Sequence, residues 1–102
     1  MRTVYKYPIY PNSVKGGAFP IEVDAPVGAK PLFVGLQNRQ CCLWMDVDPK
    51  QPSTMQTPLV CVGTGFGAIP DGASYFGSVV DDARGYVWHF FCVLNGEPDA
   101  KT

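Results

Sequence analysis

The chain has 102 residues and a mass of 11.1 kDa, which suits one small domain, because a second domain would have a core of only about 50 residues. Eight basic and nine acidic residues give a net charge of -1, which argues against general nucleic-acid binding. Hydrophobic residues make up 46% and charged residues 17%, so a globular fold is expected. Eleven glycines and ten prolines nearly exclude an all-helical fold.

Two short strands are predicted in the first quarter of the chain. Residues 4–10 alternate, with Tyr5, Tyr7 and Ile9 on one face and Lys6 on the other, which is the period-two pattern of a half-buried strand, and Pro8 predicts an edge position. Residues 11–17 are rich in turn-forming side chains and predict a mobile excursion. Residues 19–24 repeat the apolar alternation and predict the second strand.

A β-hairpin is predicted next. Residues 32–36 are apolar at every position, so they predict a third strand in the centre of a sheet. The polar residues 37–40 then lead into a fourth strand, residues 41–47. The odd-numbered side chains of this strand share an apolar face, which leaves Trp44 and Asp46 on the other face. A surface that mixes aromatic and polar groups in this way is typical of a contact site.

The second half of the chain predicts another hairpin. Residues 48–54 contain two prolines and predict a loop. Residues 59–62 predict a fifth strand that runs into the glycine-rich segment 63–67, where a flexible loop is expected. Residues 74–80 and 86–94 favour extended structure and are joined by a short polar turn, so we expect them to pair.

Six or seven short strands without a helical repeat predict an all-β fold, with a β-rich α+β fold as the wider alternative. We expect one antiparallel domain over residues 1–94, either a sandwich or a barrel-like sheet, and the barrel-like sheet is preferred. Residues 95–102 lack apolar periodicity and are expected to be disordered. The chain has neither a secretory signal nor an apolar run of about 18 residues, so we expect a cytoplasmic protein without membrane contact.

The cysteines and aspartates do not predict a metal site. All four cysteines lie in hydrophobic runs without C-x-x-C spacing, so they are expected to be reduced core thiols, and no cofactor is expected. Asp46, Asp48, Asp81 and Asp82 lack the spacing of a calcium loop and are expected to be solvated turn carboxylates.

Two segments contain candidate functional residues. Gly63, Thr64, Gly65 and Phe66 could turn backbone N–H groups toward a phosphate, and a tight structural turn is the competing interpretation. No Lys-Ser or Lys-Thr pair follows them, so they do not form a Walker A loop. His89 is the one histidine of the chain, and a hydrogen-bonded structural role is favoured over catalysis. We therefore assign no catalytic residue.

Aromatic side chains are more numerous than one small core can hold, so some are expected on the surface, at a protomer interface or as a stacking platform. A homo-oligomer is expected on this basis. Trp44 and Trp88 are the candidates for stacking on a base, and Tyr75 is a further candidate for binding a ligand or partner. The candidate cations for a phosphate are Arg39, Arg84, Lys6 and Lys30.

Six short motifs occur in order along the chain. They are YKYPI at 5–9, CLW at 42–44, VDP at 47–49, GTG at 63–65, IPD at 69–71 and VWHF at 87–90. In this combination the chain resembles a family of short phage and prophage proteins without an assigned biochemical function. It departs from that family at Phe66, where a histidine is more usual, and in its longer segment 11–19.

The resemblance implies a non-enzymatic accessory protein of the host-cell cytoplasm. The leading hypothesis is an anti-defence inhibitor that binds a host defence protein or sequesters a nucleotide signal. A nucleotide would be held between protomers by the loop 63–67. The alternatives are a virion or assembly accessory protein and, less favoured, a small hydrolase that uses His89.

Overall fold

A computed structural model describes residues 1–93, and its regular elements are seven β-strands. These are β1 (Thr3–Pro8), β2 (Phe19–Pro26), β3 (Lys30–Gln37), β4 (Gln40–Val47), β5 (Ser53–Gly63), β6 (Ala73–Asp81) and β7 (Tyr86–Val93). The predicted all-β fold is confirmed. The predicted tail, residues 95–102, lies outside the described residues. Residues 1–93 include no helix long and apolar enough to cross a membrane.

The strands form two antiparallel sheets. Sheet A has the order β1-β4-β3, and sheet B has the order β2-β5-β7-β6. Strand β3 packs against β6 of the other sheet, where a Cβ atom added to Gly77 would lie 3.2 Å from Cγ2 of Val34. The two hydrogen-bonded sheets are separate, so the architecture is the sandwich, and the preference for a barrel-like sheet was wrong.

The hydrophobic core lies between the two sheets. Alternate residues of β2, β4, β5 and β7 point inward, as the period-two patterns predicted. The odd-numbered face of β4 is buried, and Trp44 and Asp46 are on the outer face. The largest fully buried side chains are Phe90, Leu43, Met45, Leu59, Val47 and Cys61.

Both predicted hairpins are present, but two strand predictions were wrong. Strand β3 is an edge strand of sheet A, and Leu32 and Phe33 are exposed. Its continuous apolar run reflects two separate contacts, because Val34 enters the core while Phe33 covers the outer face at Trp44. Strand β5 begins at Ser53, within the predicted loop, because its first half pairs with β2.

Proline is tolerated inside β5 because of a local irregularity. The register between β2 and β5 shifts between Ile21 and Val23, close to Pro58. A bulge leaves positions without a ladder hydrogen bond, so a residue that lacks an N–H group costs little there. The eleven-residue strand β5 can therefore contain Pro58, whereas the predicted strand began only after this proline, at residue 59.

The cysteines are free thiols, and three of the four are buried. Burial is the main cause that raises the pKa of Cys41 from 9.0 to about 11 and that of Cys61 from 9.0 to about 12. Burial also raises the pKa of Cys92. These thiols therefore remain protonated at neutral pH, as expected for core side chains.

We expect alkaline pH to destabilise the fold through these thiols. The folded state keeps the protons of Cys41 and Cys61 at a pH where the unfolded chain releases them, so stability is complete below pH 9 and falls above it. Urea unfolding between about pH 8 and about pH 10.5 measures this loss. A Cys61→Val variant should show a shallower decline, and an unchanged slope would contradict the prediction.

Candidate functional site

A cleft of about 300 Å³ opens where the two sheets present their turns. Three segments line it: residues 9–11 after β1, residues 39–41 at the start of β4, and the β6–β7 hairpin between Asp81 and Trp88. Small-molecule sites have volumes of about 300 to 1,000 Å³, so this cleft is at the lower end of that range. The cleft can therefore admit a compact ligand.

An ion pair orients one arginine of the cleft. Asp81 is only 7% exposed, and its Oδ2 accepts a 2.8 Å hydrogen bond from an Nη1 hydrogen of Arg84. The same nitrogen donates to the carbonyl oxygen of Arg39 at 3.2 Å. The prediction of a solvated carboxylate at Asp81 was wrong, because its side chain points inward from β6 and pairs with the arginine three residues later.

A second arginine is held at the tip of the β3–β4 hairpin. Asn38 and Arg39 have φ angles of 52° and 65°, the left-handed conformation that a two-residue type I′ turn requires. For a residue with a side chain this conformation costs about 1–2 kcal/mol. The turn is anchored below by Gln40, whose Nε2 donates to the carbonyl oxygens of Ile9 and Cys41, each at 3.0 Å. The backbone of the turn at Arg39 is thus held in a conformation that glycine would satisfy better.

Aromatic rings form another part of the cleft wall. The rings of Tyr86 and Trp88 are 5.2 Å apart at an angle of 43°, and Tyr10 lines the same cleft. Trp88 is buried while both tyrosines are exposed. Gly63 supports the indole from β5, because a Cβ atom there would lie 3.2 Å from Cζ3 of Trp88. The cleft thus combines two guanidinium groups with aromatic surface.

The predicted site residues divide among four places. Arg39, Arg84 and Trp88 meet in the cleft. Trp44 lies on the outer face of sheet A, with its ring centroid 5.6 Å from that of Phe33. Of the other predicted cations, Lys6 donates to Oε1 of Gln37 at 2.7 Å. Lys30 lies on β3, directly opposite Asp46 of β4 in the strand register. Neither lysine lines the cleft.

His89 occupies the third place, on the outer face of sheet B. Its Nε2 lies 2.8 Å from Oγ1 of Thr64, and its Nδ1 lies 2.9 Å from Oγ of Ser78. The hydroxyl of Tyr75 continues this chain, 2.8 Å from Oγ of Ser78. Both ring nitrogens therefore have hydroxyl partners, which fits the structural histidine that the sequence favoured.

The glycine-rich segment 63–67 is the fourth place, and it is a tight turn beside the excursion 11–17. The N–H group of Phe66 donates to the carbonyl oxygen of Gly63 at 2.9 Å. Gly65 and Gly67 both have positive φ angles. Gly67 also packs directly on the backbone of Gly17, whereas Gly65 and Phe66 do not line the cleft. This geometry fits the competing interpretation of a structural turn.

A pair of alanine substitutions distinguishes the two glycines with positive φ. A Cβ atom at Gly67 would lie 1.9 Å from the carbonyl oxygen of Gly17, whereas one at Gly65 would meet nothing within 4 Å. We expect Gly65→Ala to cost about 1 kcal/mol for the left-handed backbone alone. Gly67→Ala should cost clearly more, measured by urea unfolding, because backbone must move. Equal losses would contradict the described contact between the segments.

Sequence reasoning missed Asp81, Tyr10, Tyr86 and Gln40 as parts of the cleft. For Asp81, the sequence contained one signal of its role in the cleft: Arg84 follows three residues later, and residues three apart in a tight turn can form an ion pair. The other three enter the cleft through the pairing of distant strands, which no local pattern predicts.

The fold and the cleft define a small two-sheet β protein with an arginine-bearing and aromatic cleft beside its turns. The chain belongs to the family described as a domain of unknown function, DUF7352, whose model matches residues 1–101. No curated protein and no solved structure matches the chain.

Proposed function

We propose that this protein binds a small phosphorylated ring compound, of the size of a mononucleotide, in the cleft between Arg39 and Arg84. The observation that supports this proposal is the convergence of two arginines with the exposed rings of Tyr10 and Tyr86 in one cleft of about 300 Å³, with the buried Trp88 behind Tyr86. Guanidinium groups form bidentate hydrogen bonds with phosphate, and aromatic rings stack on a base. A mononucleotide presents both chemical groups within a compact volume.

The charge of the cleft supports an anionic ligand. Asp81 neutralises part of the charge of Arg84 and directs its guanidinium group, so the two arginines and one carboxylate leave a net charge of one positive unit. Within residues 1–93, Arg39 makes no side-chain hydrogen bond or ion pair. Its guanidinium group is therefore available to a phosphate without breaking an existing contact.

The proposed activity is capture rather than turnover. A non-enzymatic protein that sequesters a nucleotide signal in the host cytoplasm would serve the anti-defence role that the resemblance to phage proteins implies. Direct binding to a host defence protein stays a prediction, and the exposed Phe33 with the half-buried Trp44 beneath it is a surface that could serve it. The virion accessory role and the hydrolase that uses His89 also stay predictions.

Native mass spectrometry and calorimetry test the proposal together. The purified protein is analysed before and after incubation with a host small-molecule extract, and then titrated with the four ribonucleoside monophosphates. Adenosine and inorganic phosphate are the matched probes, because adenosine retains the base without the phosphate and inorganic phosphate retains the phosphate without the base. We expect a retained nucleotide-sized mass and weaker binding of either half alone. The proposal fails if the extract gives no mass shift and no monophosphate binds at about 1 mM, the weak limit of specific affinity.

A further inference from the structure

The outer face of sheet B holds a serine hydroxyl against the ring of the histidine. Ser78 of β6 lies directly opposite His89 of β7 in the strand register, and its Oγ lies 2.9 Å from Nδ1 of the ring. Ser78 is exposed and β6 is an edge strand of its sheet, so a substrate can approach the hydroxyl from solvent. A serine within hydrogen-bond distance of an imidazole nitrogen is the arrangement that activates a serine nucleophile.

The directions of the hydrogen bonds around the ring make Nδ1 of His89 the acceptor. The Thr64 hydroxyl donates its one hydrogen to the carbonyl oxygen of Val87 at 3.4 Å, so its Oγ1 accepts from the Nε2–H group at 2.8 Å. Nδ1 is then unprotonated and accepts from the hydroxyl of Ser78. The ring is thus a base that is ready to take the proton of Ser78, and Thr64 holds it in that orientation.

A β-bulge brings a fourth side chain to the same place. Residues three apart on a regular strand point to opposite faces, but the register of β6 shifts between Tyr75 and Gly77, so Tyr75 shares the outer face with Ser78. Its ring packs on that of Phe91, with the centroids 5.8 Å apart. Its hydroxyl lies 2.8 Å from Oγ of Ser78 and donates to it, because the hydrogen of Ser78 is directed to His89. Bulges of this kind re-aim side chains beside active sites.

Stability does not require this alignment of side chains. Ser78, Tyr75 and Thr64 are all exposed, so water could bond each hydroxyl group if the side chain turned away. A hydrogen bond within a protein contributes only about 0.5–1.5 kcal/mol net, because water is the alternative partner. A directed chain of hydrogen bonds on an open surface is therefore better explained by chemistry at Ser78 than by packing.

The neighbours of the pair indicate which substrates it can take. Val62 of β5 lies opposite His89, and Val80 lies two residues beyond Ser78 on β6. Val62 is buried beneath the face, whereas Val80 is exposed upon it. An acyl group without charge can lie on this apolar surface, whereas a charged one would find no partner among these residues.

We propose that Ser78 is the nucleophile of an acyl-transfer site for small uncharged esters, with His89 as its general base. Oγ of Ser78 forms a bond to the carbonyl carbon, and its proton passes to Nδ1 of His89. The Tyr75 hydroxyl turns from Oγ to the carbonyl oxygen and donates to it as negative charge develops there. The bond to the alcohol then breaks, and the alcohol leaves with the proton from Nδ1.

The acyl-serine is released by the reverse sequence with water as the nucleophile. Water gives its proton to Nδ1 of His89 and bonds to the carbonyl carbon, and the bond to Oγ breaks. Oγ takes the proton back, so the products are the alcohol, the carboxylic acid and the original serine. The site shares no residue with the arginine cleft, so the inference does not rest on the proposed ligand.

A fluorophosphonate probe tests the nucleophile directly. Attack by a serine forms an Oγ–phosphorus bond and releases fluoride, and peptide mass mapping locates the adduct. We expect one adduct, on Ser78. Ser74 is the matched control, because it is an exposed serine of the same strand that lies opposite Cys92 instead of a histidine. Ser78→Ala should abolish the adduct, and Ser74→Ala should leave its rate unchanged.

Hydrolysis of p-nitrophenyl acetate tests the other two roles. His89→Gln should slow both labelling and hydrolysis at least about 100-fold, the size of a general-base contribution. Tyr75→Phe should lower kcat for the ester about 100-fold, because it removes the donor to the oxyanion. A histidine can also react with this ester by itself, and Ser78→Ala separates the two cases, since hydrolysis by the histidine alone would persist in that variant.

Three outcomes would overturn the proposal. They are a wild-type protein without an adduct on Ser78, labelling of Ser74 as fast as that of Ser78, and ester hydrolysis that Ser78→Ala leaves unchanged. Circular dichroism verifies the fold of each variant. The position of the adduct in the wild-type protein needs no variant, so it decides the assignment even if a substitution disturbed the fold.

Discussion

Replacement of Phe90 by alanine is expected to lower the free energy of unfolding by about 3–5 kcal/mol. Phe90 is fully buried, at 0% exposure, on β7, with Cys61 of β5 on one side and Gly77 of β6 on the other. Removal of its ring leaves a cavity between two sheets whose backbone hydrogen bonds restrict collapse. Domains of this kind are stable by about 5–15 kcal/mol, so the variant loses a large share of the total.

The matched control is Phe33→Ala, which removes the same ring from an exposed position. Phe33 is 61% exposed, and its ring packs on Trp44 and over Gly35 at the outer face of sheet A. Its loss should cost about 1 kcal/mol, the size of an aromatic pair at a surface. Urea unfolding monitored by tryptophan fluorescence measures both values. A loss for Phe90→Ala no larger than that for Phe33→Ala would contradict the burial of Phe90 in the core.

The strand positions were largely predictable because burial imposes a period of two on the sequence. The alternating face of β4, from Cys41 to Val47, is the clearest example, and its neighbours Trp44 and Asp46 follow from it. The same reasoning failed at β3, where an apolar run suggested a central strand. A run of this kind records only that both sides of a strand contact apolar groups, and the outer contact of Phe33 is with Trp44 on the same sheet.

The candidate site was only partly predictable, because a cleft depends on which distant strands become neighbours. Arg39, Arg84 and Trp88 could be selected by chemistry, since a phosphorylated ligand needs cations and an aromatic ring. The place where they meet could not be inferred, and the sequence favoured the glycine segment 63–67 instead. That segment contacts the back of Trp88 through Gly63, so it supports the cleft without lining it.

The Asp81–Arg84 pair illustrates a further limit of sequence reasoning. A carboxylate in a polar turn is usually solvated, and Asp82 beside it is exposed. Asp81 differs because it is the last residue of β6 and its side chain falls on the inward side of that strand. A shift of one residue in the pairing register of β6 with β7 would exchange the two positions. The end of a strand is the feature that local patterns define least well.

Arg39→Gly is expected to strengthen the fold and weaken ligand binding at the same time. Glycine adopts the left-handed φ of 65° without steric cost, so the stability of the variant should rise by about 1 kcal/mol. Loss of one guanidinium group from a phosphate should raise the dissociation constant for a nucleoside monophosphate about tenfold or more, since a hydrogen bond to a charged group contributes about 1.5–3 kcal/mol. Opposite signs for the two quantities exclude unfolding as the reason for weaker binding.

Arg84 needs a different substitution, because its removal would leave the buried Asp81 without its partner. Arg84→Lys keeps a positive charge beside Asp81 and removes the planar fork that binds a phosphate through two hydrogen bonds. We expect this variant to retain its fold by circular dichroism and to bind the monophosphate about tenfold more weakly by calorimetry. Lys30→Ala, which removes a cation outside the cleft, is the control and should leave the affinity unchanged. If Arg39→Gly and Arg84→Lys both bound the monophosphate as the wild type does, the arginine cleft would not be the ligand site.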